Sequence, residues 1–321
     1  MNSTFTTDRF HLVVGAGPIG TAVVRRLTAA GESVRVVTRS GSGPDDALVD
    51  KVAADAGDAA RLRELASGAT VVYNCVNPEY HRWATDWPPV AAALLNAAES
   101  ADAVLATTAY LYAYGPVTAP MTEDTPFNPR GTKGQVRAQM WLDALAAHQA
   151  GRVRVTEARG ADYVGPGSES HIGERTVPKM LAGKNVQVLG NPDKQHTFTY
   201  TEDMAATLVA IGADERAWGR AWHVPSALTC TQREAYARMA AYAGMPAPKV
   251  STVPALALKA MGLFVPAVRE LREVAYQVED DFVMDSAAAQ RELGLVPTPA
   301  DDILRINVEW FKSLAAQAHA A

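Results

Sequence analysis

Short apolar runs alternate with stretches of helical period along the first half of the chain. Phe10 to Val14 is apolar and enters a glycine-rich turn. Thr21 to Leu27 follows with helical spacing and ends at Gly31, and Val34 to Val37 is apolar again. That order predicts strand, turn, helix, strand. Lys51 to Asp55 is expected as a short third strand. Asp58 is expected to cap a helix running through Leu62 and Leu65 to Gly68. Ala69 to Val76 reads as a buried fourth strand, and Asn77 to Trp83 as a polar and aromatic loop. Pro88 and Pro89 are expected to open a helix over Val90 to Ser100. A fifth strand over Ala103 to Thr107, a helix from about Gln135 to Ala150 and a sixth strand over Val153 to Ala158 complete the series. Such alternation predicts an α/β fold with a doubly wound parallel sheet and crossover helices.

The regularity breaks after the turn Arg159 to Gly167. A helix over Gly173 to Ala182, a strand over Val186 to Leu189 and a turn at Gly190 to Asp193 are expected next. A helix near Asp203, a strand over Ala221 to Val224, and helices over Gln232 to Ala243 and Asp301 to Ala318 follow. This arrangement divides the chain into a dinucleotide-binding part, residues 1–165, to which 196–228 return. A smaller C-terminal α/β part, 166–195 and 229–321, is expected to bind substrate.

The turn Gly15-Ala16-Gly17-Pro18-Ile19-Gly20 carries the first chemistry, with spacing G-x-G-x-x-G. Gly15 permits a sharp turn, and Gly17 lets the backbone approach a pyrophosphate. Gly20 lets the helix pack closely on the strands. Free N–H groups and the helix dipole then favour the phosphates. With a strand before and a helix and strand after, the turn predicts a Rossmann-type dinucleotide site. The residues after the second strand select the nucleotide. They are Thr38-Arg39-Ser40, with no carboxylate, and a guanidinium flanked by hydroxyls suits a 2′-phosphate. NADP (as NADPH) is therefore the expected cofactor, the alternative being a solvated arginine at a strand end.

The chain has 321 residues, a net charge of −5 and a pI near 5.8. It has no block of lysine or arginine, which argues against a nucleic-acid partner. Cys75 and Cys230 give neither a disulfide framework nor metal spacing, and Glu169, His171 and Glu174 form no recognisable ligand pattern, so no metal is expected. Met1 to Arg9 lacks the apolar core of a signal peptide. Val253 to Val268 contains Lys259 and two prolines and is too short to span a bilayer. A cytoplasmic protein acting on a small molecule, without membrane contact, is expected. Alanine-rich faces on the helix from Gln135 would admit a second copy closely, as in a homodimer. An ordinary core helix accounts for them equally well.

Taken together, these stretches resemble the extended short-chain dehydrogenase/reductase superfamily, which contains nucleotide-sugar epimerases and dehydratases. The glycine turn matches loosely, with Val14 at the family's first glycine. Asp55, followed by Ala56, stands where the family's adenine-contacting Asp follows the third strand. Asn74 to Asn77, with Cys75 and Val76, take the place of the segment running under the cofactor. Thr107-Thr108-Ala109-Tyr110-Leu111-Tyr112 is similar to Ser-Ser-x-x-Val-Tyr, and Arg159 to Gly167 to Arg-Pro-x-x-x-Tyr-Gly-Pro-Gly. Gly183-Lys184, Leu189-Gly190 and Phe198 to Asp203 follow the family's later pattern. The resemblance implies that Thr108 bonds the substrate oxygen and that Lys133 holds the nicotinamide ribose.

One position departs. The family's proton-passing tyrosine lies four residues before the lysine, and Pro129 stands there; no tyrosine occurs between Tyr114 and Tyr163. Three readings follow. Tyr110, Tyr112 or Tyr114 supplies the proton, or Lys133 does so itself, as the Lys133-x-x-x-Arg137 spacing of the isoflavone-reductase-like branch implies. In the third, the site binds cofactor without turnover, like NmrA-like sensors. Tyr80, Trp83, Tyr110, Tyr163 and His196 are the substrate-binding candidates, with His81, Arg82 and Trp83 as a roof. The expected activity is NADPH-dependent reduction of a carbonyl, imine or conjugated double bond. The alternatives are the sensor and a nucleotide-sugar epimerase or dehydratase.

Overall fold

The computed structural model describes residues 4–254 and 272–320. Most of the apolar stretch Val253 to Val268 lies outside the described residues. Among the described residues, no helix is long and apolar enough to cross a membrane.

The first strand, β1 (Phe10–Val14), feeds the glycine turn and α1 (Pro18–Ala29). Then come β2 (Val34–Thr38), β3 (Val49–Ala53), α2 (Ala59–Ala66), β4 (Ala69–Asn74), α3 (Trp83–Ser100), β5 (Val104–Tyr110), α4 (Thr132–Gln149) and β6 (Arg154–Gly160). With β10 (Ala221–His223) these strands form one seven-stranded sheet in the order β3-β2-β1-β4-β5-β6-β10. Every pairing in it is parallel. Asp58 caps α2 as expected, its carboxylate accepting the Arg61 N–H.

Both faces of the sheet are covered. Leu12, Val14, Val72 and Leu105 pack with Trp87, Leu94 and Ala97 of α3. On the other face Val13, Val36, Tyr73 and Ala106 pack with Val23 and Leu27 of α1 and with Met204, Leu208 and Ile211 of α6 (Thr201–Ala213). Strands buried on both faces read as near-continuous apolar runs, which is why they are visible in the sequence. The strand order reverses between β1 and β4, and ligands of open α/β sheets bind in that crevice.

Several boundaries move. β3 begins two residues before the expected Lys51 and ends before Asp55. β5 runs on to Tyr110 because Thr108, Ala109 and Tyr110 pair with Ala158, Arg159 and Gly160 of β6. The helix expected to open at Pro88 begins at Trp83, and both prolines sit inside it. They forgo the bonds to the Ala84 and Thr85 carbonyls. Trp83 and Trp87, both buried, hold the first turns to the core instead. The helix expected over Gly173 to Ala182 shrinks to α5 (Val177–Leu181).

The later chain builds two small sheets. β9 (Gln195–Tyr200) lies between β7 (Asp162–Val164) and β11 (Leu228–Thr231), and β8 (Val186–Val188) pairs with β12 (Val250–Thr252). Within 196–228, α6 packs on the main sheet and β10 joins it, while β9 belongs to the three-stranded sheet. The helix α7 (Gln232–Tyr242), opened by a Thr231/Glu234 capping box, packs with Ala300–Ala320 over Val164, Phe198 and Leu228.

A side-chain carbon on Gly20 would fall inside contact distance of the Gly15 carbonyl oxygen. One on Gly17 would meet nothing within 4 Å. Gly20→Ala should therefore lower stability by about 1–3 kcal/mol, and Gly17→Ala should leave the melting temperature within a degree or two. Differential scanning calorimetry of both variants checks this, and equal melting temperatures would refute the packing argument.

Candidate active site and dinucleotide cleft

The mouth of the cleft is made of backbone. Gly15 has φ 98°, and a Cβ there would lie 2.5 Å from the Cys75 carbonyl oxygen, so β1 and β4 touch at this point. Gly17 is the N-cap of α1 and no side chain caps that helix end. Its Cβ side is open space, at a helix terminus whose free N–H groups favour an anion. Pro18 occupies the first turn, and Gly20 faces Gly15. This cradle fits a pyrophosphate: crowded where the fold must close, empty where a phosphate would sit.

The sequence-derived cofactor residues gather around that mouth. Arg39 and Ser40 are exposed at the end of β2, and the Thr38 hydroxyl donates to the Ser42 carbonyl at 3.0 Å. Asp55 follows β3, its carboxylate accepting the Gly57 N–H at 2.7 Å, with Ala56 half-buried beside it. After β4, Asn74 Oδ1 accepts the Val76 N–H, and Asn77 is exposed. The Thr108 hydroxyl donates to Cys75 Sγ at 3.9 Å, and burial pushes the Cys75 thiol up to about 12. That thiol is a packing group rather than a nucleophile.

At the strand ends, Lys133 is the second residue of α4 and is 1 % exposed. Its ammonium lies 3.5 Å from a Glu273 carboxylate oxygen and 4.5 Å from the centre of the Tyr80 ring. One turn on, the buried Arg137 guanidinium is 4.8 Å from the Trp83 ring and 4.2 Å from the Trp87 ring, and donates to the Thr108 carbonyl at 3.3 Å. Arg137 thereby ties α4 to the strand segment holding Thr107 and Thr108. Tyr110 and Tyr112 stack with centres 5.1 Å apart. Burial raises the phenols of Tyr80, Tyr110 and Tyr112 above their ordinary value.

Four sequence-derived candidates take other roles. Tyr114 is fully buried; its hydroxyl lies 2.8 Å from His223 Nε2 and accepts from Arg159 at 2.7 Å, so it is withdrawn from the catalytic set. Trp83 is not a pocket roof but the platform under Tyr80, Tyr110 and Tyr112, with its indole N–H on the Pro78 carbonyl. Tyr163 donates to the Ala109 carbonyl at 2.7 Å and is buried, which leaves no hydroxyl for substrate. His196 is buried between Phe282 and Asp162, with Nδ1 2.9 Å from the Gln277 carbonyl. His81 and Arg82 are exposed, Arg82 pairing with Asp86.

Asp162 was not singled out from the sequence, yet it lies 2.9 Å from His196 and 3.1 Å from His171. Burial alone would raise its carboxyl, but the two imidazoles bring it down to about 2. Glu273 was also missed, because a lone glutamate in a stretch without a motif carries no signal. Arg137 stood in the sequence as half of a spacing pattern; nothing there marks the indoles around it. A separate cavity of about 450 Å³ lies between α3 and α4, on the side of the sheet away from α1. It is lined by Ala92, Leu95, Val136, Met140 and Ala144, with Asn74 and Thr107 at one end.

Residues 11–224 match the profile of the NAD dependent epimerase/dehydratase family. The chain belongs to that family. No curated protein sequence matches it. Among solved structures the family member is similar to DesIV, a dTDP-glucose 4,6-dehydratase from Streptomyces venezuelae solved with NAD and TYD. The TM-score is 0.76 at 20% identity, covering 96% of this chain and 98% of that one. UDP-glucose 4-epimerase from Thermotoga maritima, solved with UDP-glucose, gives a TM-score of 0.78 at 17% identity over 96% and 99% of the two chains. A dTDP-glucose 4,6-dehydratase from Bacillus anthracis, solved with NAD, gives 0.78 at 16% identity over 95% and 96%. At such identities the likeness shows the fold, and the family match supports an enzyme with a nicotinamide dinucleotide. The family favours the epimerase or dehydratase alternative over the reductase expected first.

The buried Tyr114 cluster yields a test. Burial takes His223 down to about 4, so the folded state holds it neutral while the unfolded chain binds a proton near pH 6.5. Stability from this group is complete above about 6.5 and is lost as pH falls towards 4, by on the order of 3 kcal/mol. His223→Gln should flatten that slope in urea titrations. Tyr114→Phe should cost about 1–3 kcal/mol while leaving dinucleotide affinity unchanged. A Tyr114→Phe protein of full stability would contradict the assignment.

Proposed function

We propose that the protein is a nicotinamide-dinucleotide-dependent epimerase or dehydratase that oxidises a secondary alcohol of a nucleotide-linked sugar. The observation that carries this reading is the open, uncapped α1 terminus at Gly17, on a turn whose Gly15 packs against Cys75, the residue that accepts the Thr108 hydroxyl. Gly15, Gly17 and Gly20 would admit the pyrophosphate, and Cys75, Val76 and Asn77 would run beneath the dinucleotide. Bound there, the dinucleotide supplies a two-electron acceptor and donor. Thr108 would orient the substrate oxygen and Lys133 would hold ribose hydroxyls. Tyr80, whose ring centre lies 4.5 Å from the Lys133 ammonium, and Tyr110 would give a planar, partly polar wall for a sugar. Tyr112, 8 % exposed and stacked on Tyr110, supports that wall rather than passing the proton.

The finer reading of the cofactor is NADP. Arg39 and Ser40 are exposed at the end of β2, no acidic residue stands at that strand end, and a guanidinium fork suits a 2′-phosphate. Residues 1–165, joined by α6 and β10, would hold the dinucleotide, and 166–195 with 229–321 would shape the substrate pocket. The small side chains beside the α3–α4 cavity support a homodimer through that face.

Two measurements check this. Arg39→Ala should weaken NADPH about 10–100-fold and NADH hardly at all in fluorescence titrations; equal losses would remove the phosphate assignment. The holoprotein, given UDP-glucose and dTDP-glucose in turn, should convert at least one, as followed by absorbance at 340 nm and product analysis. Steady NADPH consumption by simple ketones, with both sugar nucleotides untouched, would restore the reductase reading.

A further inference from the structure

Removing a hydride from an alcohol requires a group that takes the hydroxyl proton at the same time. Pro129, one turn before Lys133, has none to offer. The phenols of Tyr80, Tyr110 and Tyr112 are raised by burial, which makes their anions costly, and Tyr114 is sealed in its own cluster. Among the described residues, a carboxylate lies directly beside Lys133. Glu273 comes from the C-terminal part of the chain and sits on the first turn of α4. One oxygen accepts the Lys133 backbone N–H, and the other lies 3.5 Å from the Lys133 ammonium. Gly131, with φ 99°, makes this approach possible, since a Cβ there would overlap the Glu273 side chain. The Glu273 side chain is 19 % exposed, against 2 % for Lys133, so its carboxylate is held by α4 without being sealed off.

We infer that Glu273 is the proton acceptor of this active site, standing where the family's tyrosine is missing. The inference rests on the proposed oxidation of a sugar alcohol. In that step the O–H bond breaks and its proton passes to the Glu273 carboxylate. The C–H electron pair would leave as hydride to a bound, oxidised nicotinamide dinucleotide, the two-electron acceptor of the proposed reaction, as the C=O bond forms. In the return step the carboxylic acid gives the proton back. Lys133 then has a second duty besides the ribose: it positions Glu273 by its ammonium and its backbone N–H.

The test compares Glu273→Gln and Glu273→Asp with the unmodified holoprotein, using UDP-glucose and dTDP-glucose as probes. Glu273→Gln should lower kcat by about 100-fold or more, with KM, melting temperature and NADH and NADPH affinities within about twofold. Glu273→Asp should recover a substantial part of kcat. Loss of stability or of cofactor affinity in Glu273→Gln, in step with kcat, would make the residue a strut for α4 and overturn the inference. So would an unchanged kcat, or loss of turnover in His171→Asn with Glu273→Gln still active. If the unmodified protein binds cofactor but converts neither probe, the oxidation reading falls first, and the proton acceptor falls with it.

Discussion

The contact between β1, α1 and β4 at the glycine turn is the constraint on which the site depends. Two carbon atoms decide it. Without side chains at Gly15 and Gly20, the Gly15 carbonyl can lie against the first turn of α1 while Gly15 itself lies against the Cys75 carbonyl. Strand order reverses here, so the crevice opens at the point where the helix terminus presents its free N–H groups. Close packing on one side of the turn and open space at Gly17 on the other are two consequences of one geometry. A dinucleotide cleft of this kind is a gap the fold is prevented from filling.

A second constraint acts at the far end of the cleft. Burying Arg137 carries a large desolvation cost, and burial lowers its affinity for its proton. Two indole faces, the Tyr110 ring and the Thr108 carbonyl offset that cost. Those indoles are Trp83 and Trp87, which explains why α3 starts before its two prolines. The helix gives up two backbone bonds and gains the packing that seats a guanidinium against the end of β5. Lys133, one turn earlier on the same face of α4, inherits its position from this arrangement.

Much of the main sheet was legible in the chain because strands covered on both faces carry unbroken apolar runs, and glycine punctuates the turns. The boundaries that moved share a cause. Thr108 to Tyr110 look like the start of a loop, and only pairing with β6 makes them strand; Pro88 and Pro89 read as the opening of a helix because proline suits a first turn, yet α3 already begins at Trp83. The cofactor mouth was legible for the same reason as the sheet, since its signal is local spacing. The proton chemistry was not. Glu273 and Lys133 are 140 positions apart, and Asp162, His171 and His196 meet only when β7 and β9 pair. No periodicity encodes such meetings.

Two clusters show how residue type alone misleads. Tyr114, His223, Arg159 and Glu157 contain the ingredients of acid–base catalysis, with a phenol, an imidazole and an ion pair at 2.7 Å. Every one is buried, burial holds the phenol near 12 and the imidazole near 4, and the hydroxyl has both its partners. Such a group cannot exchange a proton near neutrality, and its function is to lock β6 against β10. The Lys133–Glu273 pair has a less suggestive composition but a partly exposed carboxylate and a place at the strand ends. Access, not chemical repertoire, separates the structural cluster from the one proposed to react.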